Sequence, residues 1–586
     1  MKQIEHLKFD LVVIGAGMTG ISTAITAARQ GLKVCLLCDR PVLGGNASSE
    51  VRMWIRGASA HFPYYKEGGL CEEIALDNAH YNPDMTYPLW DMVLLEKVYN
   101  EKNISLYMNT FCMGATTNGR TIESVKAIQT TTYTEFTIKA DYFVDCSGDA
   151  VLADCIPIAY RVGREGKAEF DEVAGKETAD SFTMGNSCLF SLIETDHNVS
   201  FTPPAFAKKF SEKDFQMRLS TDREKGFVSE NYWWIELGGE RDSLRDAEAI
   251  KYELLATVYG VYDYVKNSGK YDADNWDLDF VGFFPAKRET RRYVGLYTLT
   301  QNDVEQATVF EDEVAYGGWS MDDHSPYGMN NNGAPNKHYY VKQPYGIPLR
   351  CLISKDYDNL GFAGRNISVT HMALSSTRIM ATCMTEGQAI GMSVAFAKKK
   401  NSAISAVLED VANIKQELRN ADCYLLNTKR KISPTLLYSK SNVTEEKKAV
   451  LFDGIERALC DKDSAACFAI GELVEFVFDK TYVKEIRLVF DSDFIRACQK
   501  DFQVKQYPNR FHIAKDAEKA VIPPSLVKGF TLQICKNGQW ENAIEERNNW
   551  QRIRKIAINE EISGLRFIGK DTYGAEQIRI YSIDCV

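Results

Sequence analysis

A layered α/β domain, interrupted by an inserted α+β domain and followed by an all-β sandwich, is the fold class the sequence predicts, and three observations carry it. The stretch "FDLVVIGAGMTGISTAITAARQGLKVCLLCD" (Phe9–Asp39) reads as a buried strand, a Gly-rich turn, a helix with apolar residues at helical spacing and a second buried strand. That texture breaks off near Ala159 and returns at "LGFAGR" (Leu360–Arg365). Beyond the polar stretch "LYSKSNVTEEKK" (Leu437–Lys448) it gives way to short alternating strands separated by turn residues. The predicted divisions are 1–158 with 345–440 for the α/β domain, 159–344 for the insertion and 441–586 for the sandwich.

After the first βαβ unit, "WDMVLLEKVYNEKN" predicts a helix and "ISLYMNT" a strand. "TTNGRTIESVKAIQTTTYTEFTIK" predicts a hairpin system with Asn118–Gly119 at its tight turn, because that dipeptide accepts the positive φ such turns need. "ADYFVDCSGDA" returns as a buried strand ending in a loop. A small meander before the returning strand departs from a plain dinucleotide domain. The insertion is rich in aromatics, with a helical stretch at "SLRDAEAIKYELLATVYGVYDYVKN", and suits a substrate domain because ligand pockets favour aromatic linings. Residues Thr377 to Lys399 predict a long helix and "AVLEDVANIKQELRNADC" a closing one. In the last segment "GELVEFVFD", "VKEIRLVFDS", "GFTLQICKNG", "WQRIRKIAIN", "GLRFIGKD" and "QIRIYSID" each read as one short strand, the pattern of a sandwich or jelly roll.

With 586 residues and 45% hydrophobic content, the chain supports two or three packed units. A net charge of −11 leaves no overall basic footprint for nucleic acid or an anionic membrane. There is no signal-peptide pattern and no apolar run of about 18 residues, so a cytoplasmic chain without a spanning helix is expected. The 15 cysteines are scattered through predicted strands and helices, unlike a small secreted framework, and should be reduced and buried. Eight histidines without a spaced pair give a metal site no support.

Gly15, Gly17 and Gly20 form G-x-G-x-x-G between a strand and a helix, where close backbone approach and the helix N-terminus can hold a pyrophosphate. This makes the α/β domain Rossmann-like. A ribose-binding acid belongs near the end of the second strand, where Cys38 is followed by Asp39; the contact is assigned to Asp39 or to nearby backbone. Cys35 and Cys38 spell C-x-x-C, yet residues three apart on a strand point to opposite faces, so two core cysteines are expected rather than a redox pair.

"GAGMTG", "LGGNASSEVR", "VDCSGDA" and "NLGFAGRNISVTHMALSSTRIMATCMTEGQAIG" together resemble FAD-dependent oxidoreductases of the glutathione-reductase-like fold, related to fumarate-reductase-like flavoproteins. With "YRVGREGKAEF", "FTMGNS" and "PAKRETRR" they resemble more closely a bacterial FAD-dependent oxidoreductase family, over about residues 8 to 425. The resemblance implies an FAD/NAD(P)-binding domain whose resident cofactor is FAD. It places Gly15, Gly17 and Gly20 on the pyrophosphate, and Asp39 and Arg40 near the adenosine ribose. Gly44, Gly45, Asn46, Ser49 and Arg52 would line the way to the flavin, and Cys112 would offer its backbone to the adenine. Gly148 and Asp149 would form a second FAD loop, with Gly364 and Arg365 near the ribityl chain. The final segment resembles galactose-binding-like β-sandwiches of the discoidin type, which implies either sugar binding or a packing module.

Ser375, Ser376 and Thr377 are N-cap candidates for the long helix, whose positive end could stabilise a reduced flavin; Ser375, Thr377 and Arg378 are therefore expected at the cofactor. His371 and His324 are candidate proton movers, the latter in "SMDDH" beside two carboxylates; a packing histidine and a solvated loop are the alternatives. Arg288, Arg291 and Arg292 in "KRETRR" could bind a carboxylate, with at most two reaching a site on an alternating strand; Arg288 and Arg292 are the candidates. The tryptophans of "YWWIEL" read as core rather than as a sugar platform.

Where related disulfide reductases carry a cysteine pair, this chain has Asn46, Ala47, Ser48 and Ser49. Dithiol chemistry is thereby lost, and no second Gly-rich cradle for NAD(P)H is visible. The sequence points to an FAD-dependent dehydrogenase or oxidase exchanging a hydride with a small organic substrate, a sugar or sugar acid with a CH–OH or CH–CH donor, and with an unidentified second electron carrier. Enoate reduction of the fumarate-reductase type, a tRNA-modifying FAD protein and an FAD-stabilised glycan-binding protein stand as alternatives. No nucleic acid or membrane partner is expected, and self-association is left open.

Overall fold

Leu11–Ile14 is apolar at every position, the mark of a strand covered on both faces, and in the computed structural model all four residues are buried. The structure describes residues 3–215, 217–219, 227, 232–459, 465–494, 506–508, 512–514 and 519–586. Strand β1 (Ile4–Ile14), helix α1 (Met18–Arg29) and strand β2 (Val34–Leu37) form the expected βαβ unit, with Leu11 opposite Val34 and Ile14 opposite Leu37. Helix α2 (Tyr87–Tyr99) leads to β3 (Ile104–Tyr107), parallel to β2. The hairpin β4 (Thr110–Asn118) and β5 (Thr121–Gln129) turns at Asn118–Gly119, and β6 (Thr134–Asp145) returns parallel to β1.

The result is a mixed sheet in the order β3-β2-β1-β6-β5-β4. The inserted segment contributes helix α3 (Ala247–Asn267), which packs into an aromatic-rich core with Phe190, Tyr232 and Trp276. It also contributes a hairpin of β7 (Met321–His324) and β8 (Asn336–Tyr339). The chain then re-enters the mixed sheet as β9 (Leu360–Phe362), parallel to the end of β6, and continues into α4 (His371–Thr377) and α5 (Met380–Lys400). The carboxyl ends of β1, β2, β6 and β9 therefore share one edge, where open parallel sheets bind ligands.

The residues form two compact units: 1–57, 84–414 and 507–519 in the first, 58–83, 415–506 and 520–586 in the second. The expected insertion 159–344 lies within the first unit. The second holds a seven-stranded antiparallel sheet built on β10 (Leu473–Phe490), β11 (Val527–Lys536), β12 (Gln539–Glu546), β13 (Ile553–Thr572) and β14 (Gln577–Cys585).

"GELVEFVFD" with "VKEIRLVFDS", and "WQRIRKIAIN" with "GLRFIGKD", are each one long strand rather than two. Polar interruptions such as Lys480–Thr481 fall at register shifts, not chain reversals, so the strands bend without breaking. Phe490, near the end of β10, packs against Phe530 of β11 and Phe567 of β13, with ring centroids 5.4 and 6.1 Å apart.

Beside this sheet, Glu456 is 2% exposed and accepts bonds from Arg430 Nε at 2.8 Å and Arg487 Nη1 at 2.6 Å. Arg430 also pairs with Asp584 at 2.8 Å, and buried Arg419 donates to the carbonyls of Gly454 and Ile455. The helix Leu70–Tyr81, unpredicted because its faces are not sharply amphipathic, belongs to the same unit; its Asp77 accepts a bond from Trp550 Nε1 at 2.9 Å. Among the described residues, no helix is long and apolar enough to cross a membrane.

Candidate functional site

A cavity of about 670 Å³ runs along the carboxyl edge of the mixed sheet. From the sheet it is lined by Gly15, Gly17 and Thr19, by Asp39 and Arg40, by Cys112, and by Gly148, Asp149, Gly364 and Arg365. From the inserted segment it is lined by Trp233, Arg288, Asp322, His324, Asn336 and His338, and Gly44, Gly45 and Asn46 also border it. Its volume is in the range of cofactor and substrate pockets.

The Gly-rich turn fits a dinucleotide. Gly15 has φ +97°, and a Cβ there would fall 2.7 Å from the Cys146 carbonyl. A Cβ on Gly20 would meet the Gly15 carbonyl at 1.8 Å, so this helix turn can lie against the loop only without a side chain. A Cβ on Gly17 would meet nothing nearer than Gly45 Cα at 3.9 Å; it would occupy the cavity itself. Gly17 caps α1 without a side-chain bond, which leaves the first N–H groups available to an anion. Asp149 accepts from Lys287 Nζ at 2.6 Å and Arg365 Nη2 at 2.7 Å. Burial would raise this carboxyl, but the two cations outweigh it and hold it well below its ordinary value. Arg365 Nε is buried without a partner, a donor left over for a bound group.

One part of the cavity wall is strongly charged. His324 donates from Nδ1 to Glu236 Oε2 at 2.7 Å and contacts Asp322 Oδ2 through Nε2 at 3.2 Å. Burial would lower this imidazole, but Glu236 and Asp322 overcome it and raise its pKa, favouring the protonated ring. Arg288 stands 3.5 Å from Glu236, and its terminal nitrogens donate to Ser187 Oγ at 2.8 Å and the Trp233 carbonyl at 2.6 Å. Arg378 Nη2 donates to the Asp322 carbonyl at 3.2 Å, while its Nε is buried without a partner. With His324 protonated, three cations face two carboxylates, leaving one positive charge.

Several expected contacts lie elsewhere. His371 is not in the cavity wall: it is the first residue of α4, and its ring bridges Glu289 at 2.9 Å and Asp323 at 3.1 Å. Those carboxylates outweigh burial and raise its pKa to about 10. The stability His371 adds by binding its proton is thus complete below pH 6.5 and declines as pH rises toward about 10. Thermal unfolding between pH 6 and 10 should show a fall in melting temperature that His371→Gln flattens.

Arg292 also lies outside the cavity wall, fully buried and donating to the Gly163 carbonyl beside Glu165; its neighbour Arg291, pointing the other way on the strand, lines the cavity but is held by Asp154. Arg52 turns away at φ +62° to pair with Asp279 at 2.5 Å, between the rings of Tyr87 and Phe280. Ser49 bonds through its N–H to Asp91 and is absent from the lining.

Ser375, Ser376 and Thr377 do not cap the long helix: they lie inside α4, whose cap is Thr370, and α5 begins after Ile379 without a side-chain cap. Of that group only Arg378 lines the cavity, together with Ile379 and Met380. Trp234 is core as expected, but Trp233 lines the cavity. Glu236, Asn336, His338 and Lys287 were missed; "NKHY" has no periodicity of its own, and only its pairing with "MDDH" brings it to the site. Cys35 and Cys38 are free and buried.

A family model described as FAD dependent oxidoreductase matches residues 10–418. No curated protein matches. Solved structures similar to the chain include a geranylgeranyl bacteriochlorophyll reductase-like protein from Thermoplasma acidophilum, 12% identical over 71% of this chain and 87% of that one, with a TM-score of 0.30. A quinol fumarate reductase from E. coli is 13% identical over 72% and 75%, with a TM-score of 0.28. A family 32 carbohydrate-binding module from Streptococcus pneumoniae EndoD is 15% identical over 21% and 75%, with a TM-score of 0.16.

Proposed function

The chain belongs to the FAD dependent oxidoreductase family, and from that premise we propose that it exchanges a hydride between FAD and a small substrate bearing one negative charge, a sugar acid fitting best. The supporting observation is that the cradle of Gly15 and Gly17 and the wall of Arg288, His324 and Arg378 border a single cavity. Bound FAD supplies a two-electron acceptor and donor. The α1 N-terminus would hold its pyrophosphate, Asp39 and Arg40 would take the ribose, and Arg365 with Lys287 would offer positive charge to the rest of the cofactor. Arg378 offers its spare Nε to a substrate carboxylate. Trp54, Trp233 and Trp319 in the same wall suit a sugar ring.

His324 moves the proton. Its raised pKa makes it a donor first, which favours reduction of a carbonyl or enoate; after release it is the acceptor that oxidation of a CH–OH group requires. The substrate domain is residues 159–344, and the electron carrier at the other half of the cycle is a separate molecule. The C-terminal sheet is proposed as a galactose-binding-like jelly-roll module, and the chain as a cytoplasmic enzyme without a nucleic-acid partner.

The test is an anaerobic absorbance screen with D-glucose, D-galactose, D-glucuronate, D-galacturonate and crotonate, run on oxidised and on dithionite-reduced protein. Bleaching by a uronate but not by its neutral sugar, or reoxidation by crotonate, is expected. Arg378→Ala should raise the half-saturating concentration of the active compound about tenfold to a hundredfold, the scale of one charged hydrogen bond. A flavin that responds to the neutral sugars and equally in Arg378→Ala, or to none of the five, would overturn the reading.

A further inference from the structure

His324 must exchange its proton with water between turnovers, yet it is 4% exposed and both ring nitrogens face carboxylates. On the Nδ1 side, Glu236 is 1% exposed and its other oxygen accepts the Gly185 N–H at 2.6 Å, so that side does not lead to solvent. The Nε2 side does. In the β7–β8 hairpin Asp322 stands opposite His338 and His324 opposite Asn336. Alternate residues of a strand, and residues opposite across an antiparallel pair, share a face, and all four side chains line the cavity.

The Asn336 amide donates to Asp322 Oδ1 and lies 3.0 Å from His338 Nε2, which holds the two groups side by side. His338 Nδ1 is 3.6 Å from Asp322 Oδ1 and 2.9 Å from Ser320 Oγ, and its side chain is 36% exposed.

We propose that this face of the hairpin is a proton path between water and His324 by way of His338 and Asp322, with His338 the positioning residue that recharges His324. The proposal rests on the reading of His324 as the group that moves the proton. No electrons travel along the path. The Asn336 amide makes Nε2 of neutral His338 an acceptor and leaves the ring proton on Nδ1; to recharge His324 that N–H bond breaks, Asp322 carries the proton across the 3.6 Å gap, an N–H bond forms at His324 Nε2, and His338 takes a proton from water at Nε2 as its ring turns. Arg288 beside the path opposes the charge on His324, but Glu236 and Asp322 outweigh it.

The test uses the FAD-bound protein without substrate. The downfield imidazole proton of His324, identified by its loss in His324→Gln, is followed by NMR for exchange with water. In His338→Ala that exchange should slow at least tenfold, the line should sharpen, and added imidazole should restore the rate. His338→Gln keeps partners for Ser320 and Asn336 but cannot carry a proton, and should be slow too. Equal exchange in wild type and His338→Ala, including a line too broad to see in both, would overturn the path. Slow exchange in His338→Ala with normal exchange in His338→Gln would overturn it as well, by assigning His338 to packing. Because no substrate is used, a flavin unresponsive to every compound in the screen would sink the proposed function and leave this result readable.

Discussion

Glu456→Ala is expected to lower the stability of the second unit by about 3–5 kcal/mol, the usual penalty for leaving buried charge uncompensated. Arg430 and Arg487 would both lose their shared carboxylate, and Asp584 can replace it only for Arg430. Glu456→Gln should cost less, since the amide oxygen still accepts a bond.

The same site carries a pH signature. Burial alone would raise the Glu456 carboxyl, but Arg487 and Arg430 overcome it and hold the pKa at about 2, against an ordinary 4.5. A depressed folded pKa means that the stabilisation is complete above pH 4.5 and is lost as pH falls toward 2. Chemical unfolding followed at pH 7 and pH 4 should show the difference between wild type and Glu456→Gln shrinking with acidification. A constant difference would refute the assignment.

Gly20→Ala is expected to yield protein purified without its flavin band. The new Cβ would sit 1.8 Å from the Gly15 carbonyl, and relief requires moving either the turn or the first turn of α1, the two elements that hold the pyrophosphate. A displacement of that kind should weaken FAD binding at least about a hundredfold, roughly 3 kcal/mol. Gly31→Ala is the matched control in the same βαβ unit: its φ of +93° makes alanine strained, but nothing lies within 4 Å of the new atom. That variant should lose about 1 kcal/mol of stability and keep its flavin. Retention of FAD by Gly20→Ala, or its equal loss from both variants, would refute the argument; circular dichroism separates cofactor loss from unfolding.

Local chemistry explains which features were legible. The buried runs of β1 and β6, the Asn118–Gly119 turn and the Gly-rich loop each declare themselves within about ten residues, and each is where the sequence put it. His324 was found because two carboxylates adjoin it in sequence. Glu236 and His338, which complete its surroundings, come from segments 88 residues before and 14 after and are joined only by tertiary folding. Arg52 and Arg292 were misplaced for a related reason: a charged side chain near a site is as readily drawn to a buried carboxylate or carbonyl as to the cavity, and sequence spacing does not decide between them. The bent strands β10 and β13 were split in two because polar residues at a bulge look like a turn.

The route of the chain has a consequence for its birth. Residues 58–83 pack in the unit whose remaining members begin at Lys415. At a synthesis rate of about 5–20 residues per second, the helix Leu70–Tyr81 waits roughly 20–70 s on the ribosome before the rest of its unit begins to emerge. A nascent chain stalled before Lys415 should therefore bind holdase chaperones through this segment, and a gene truncated after residue 414 should give a product that aggregates even though the cofactor cradle is whole.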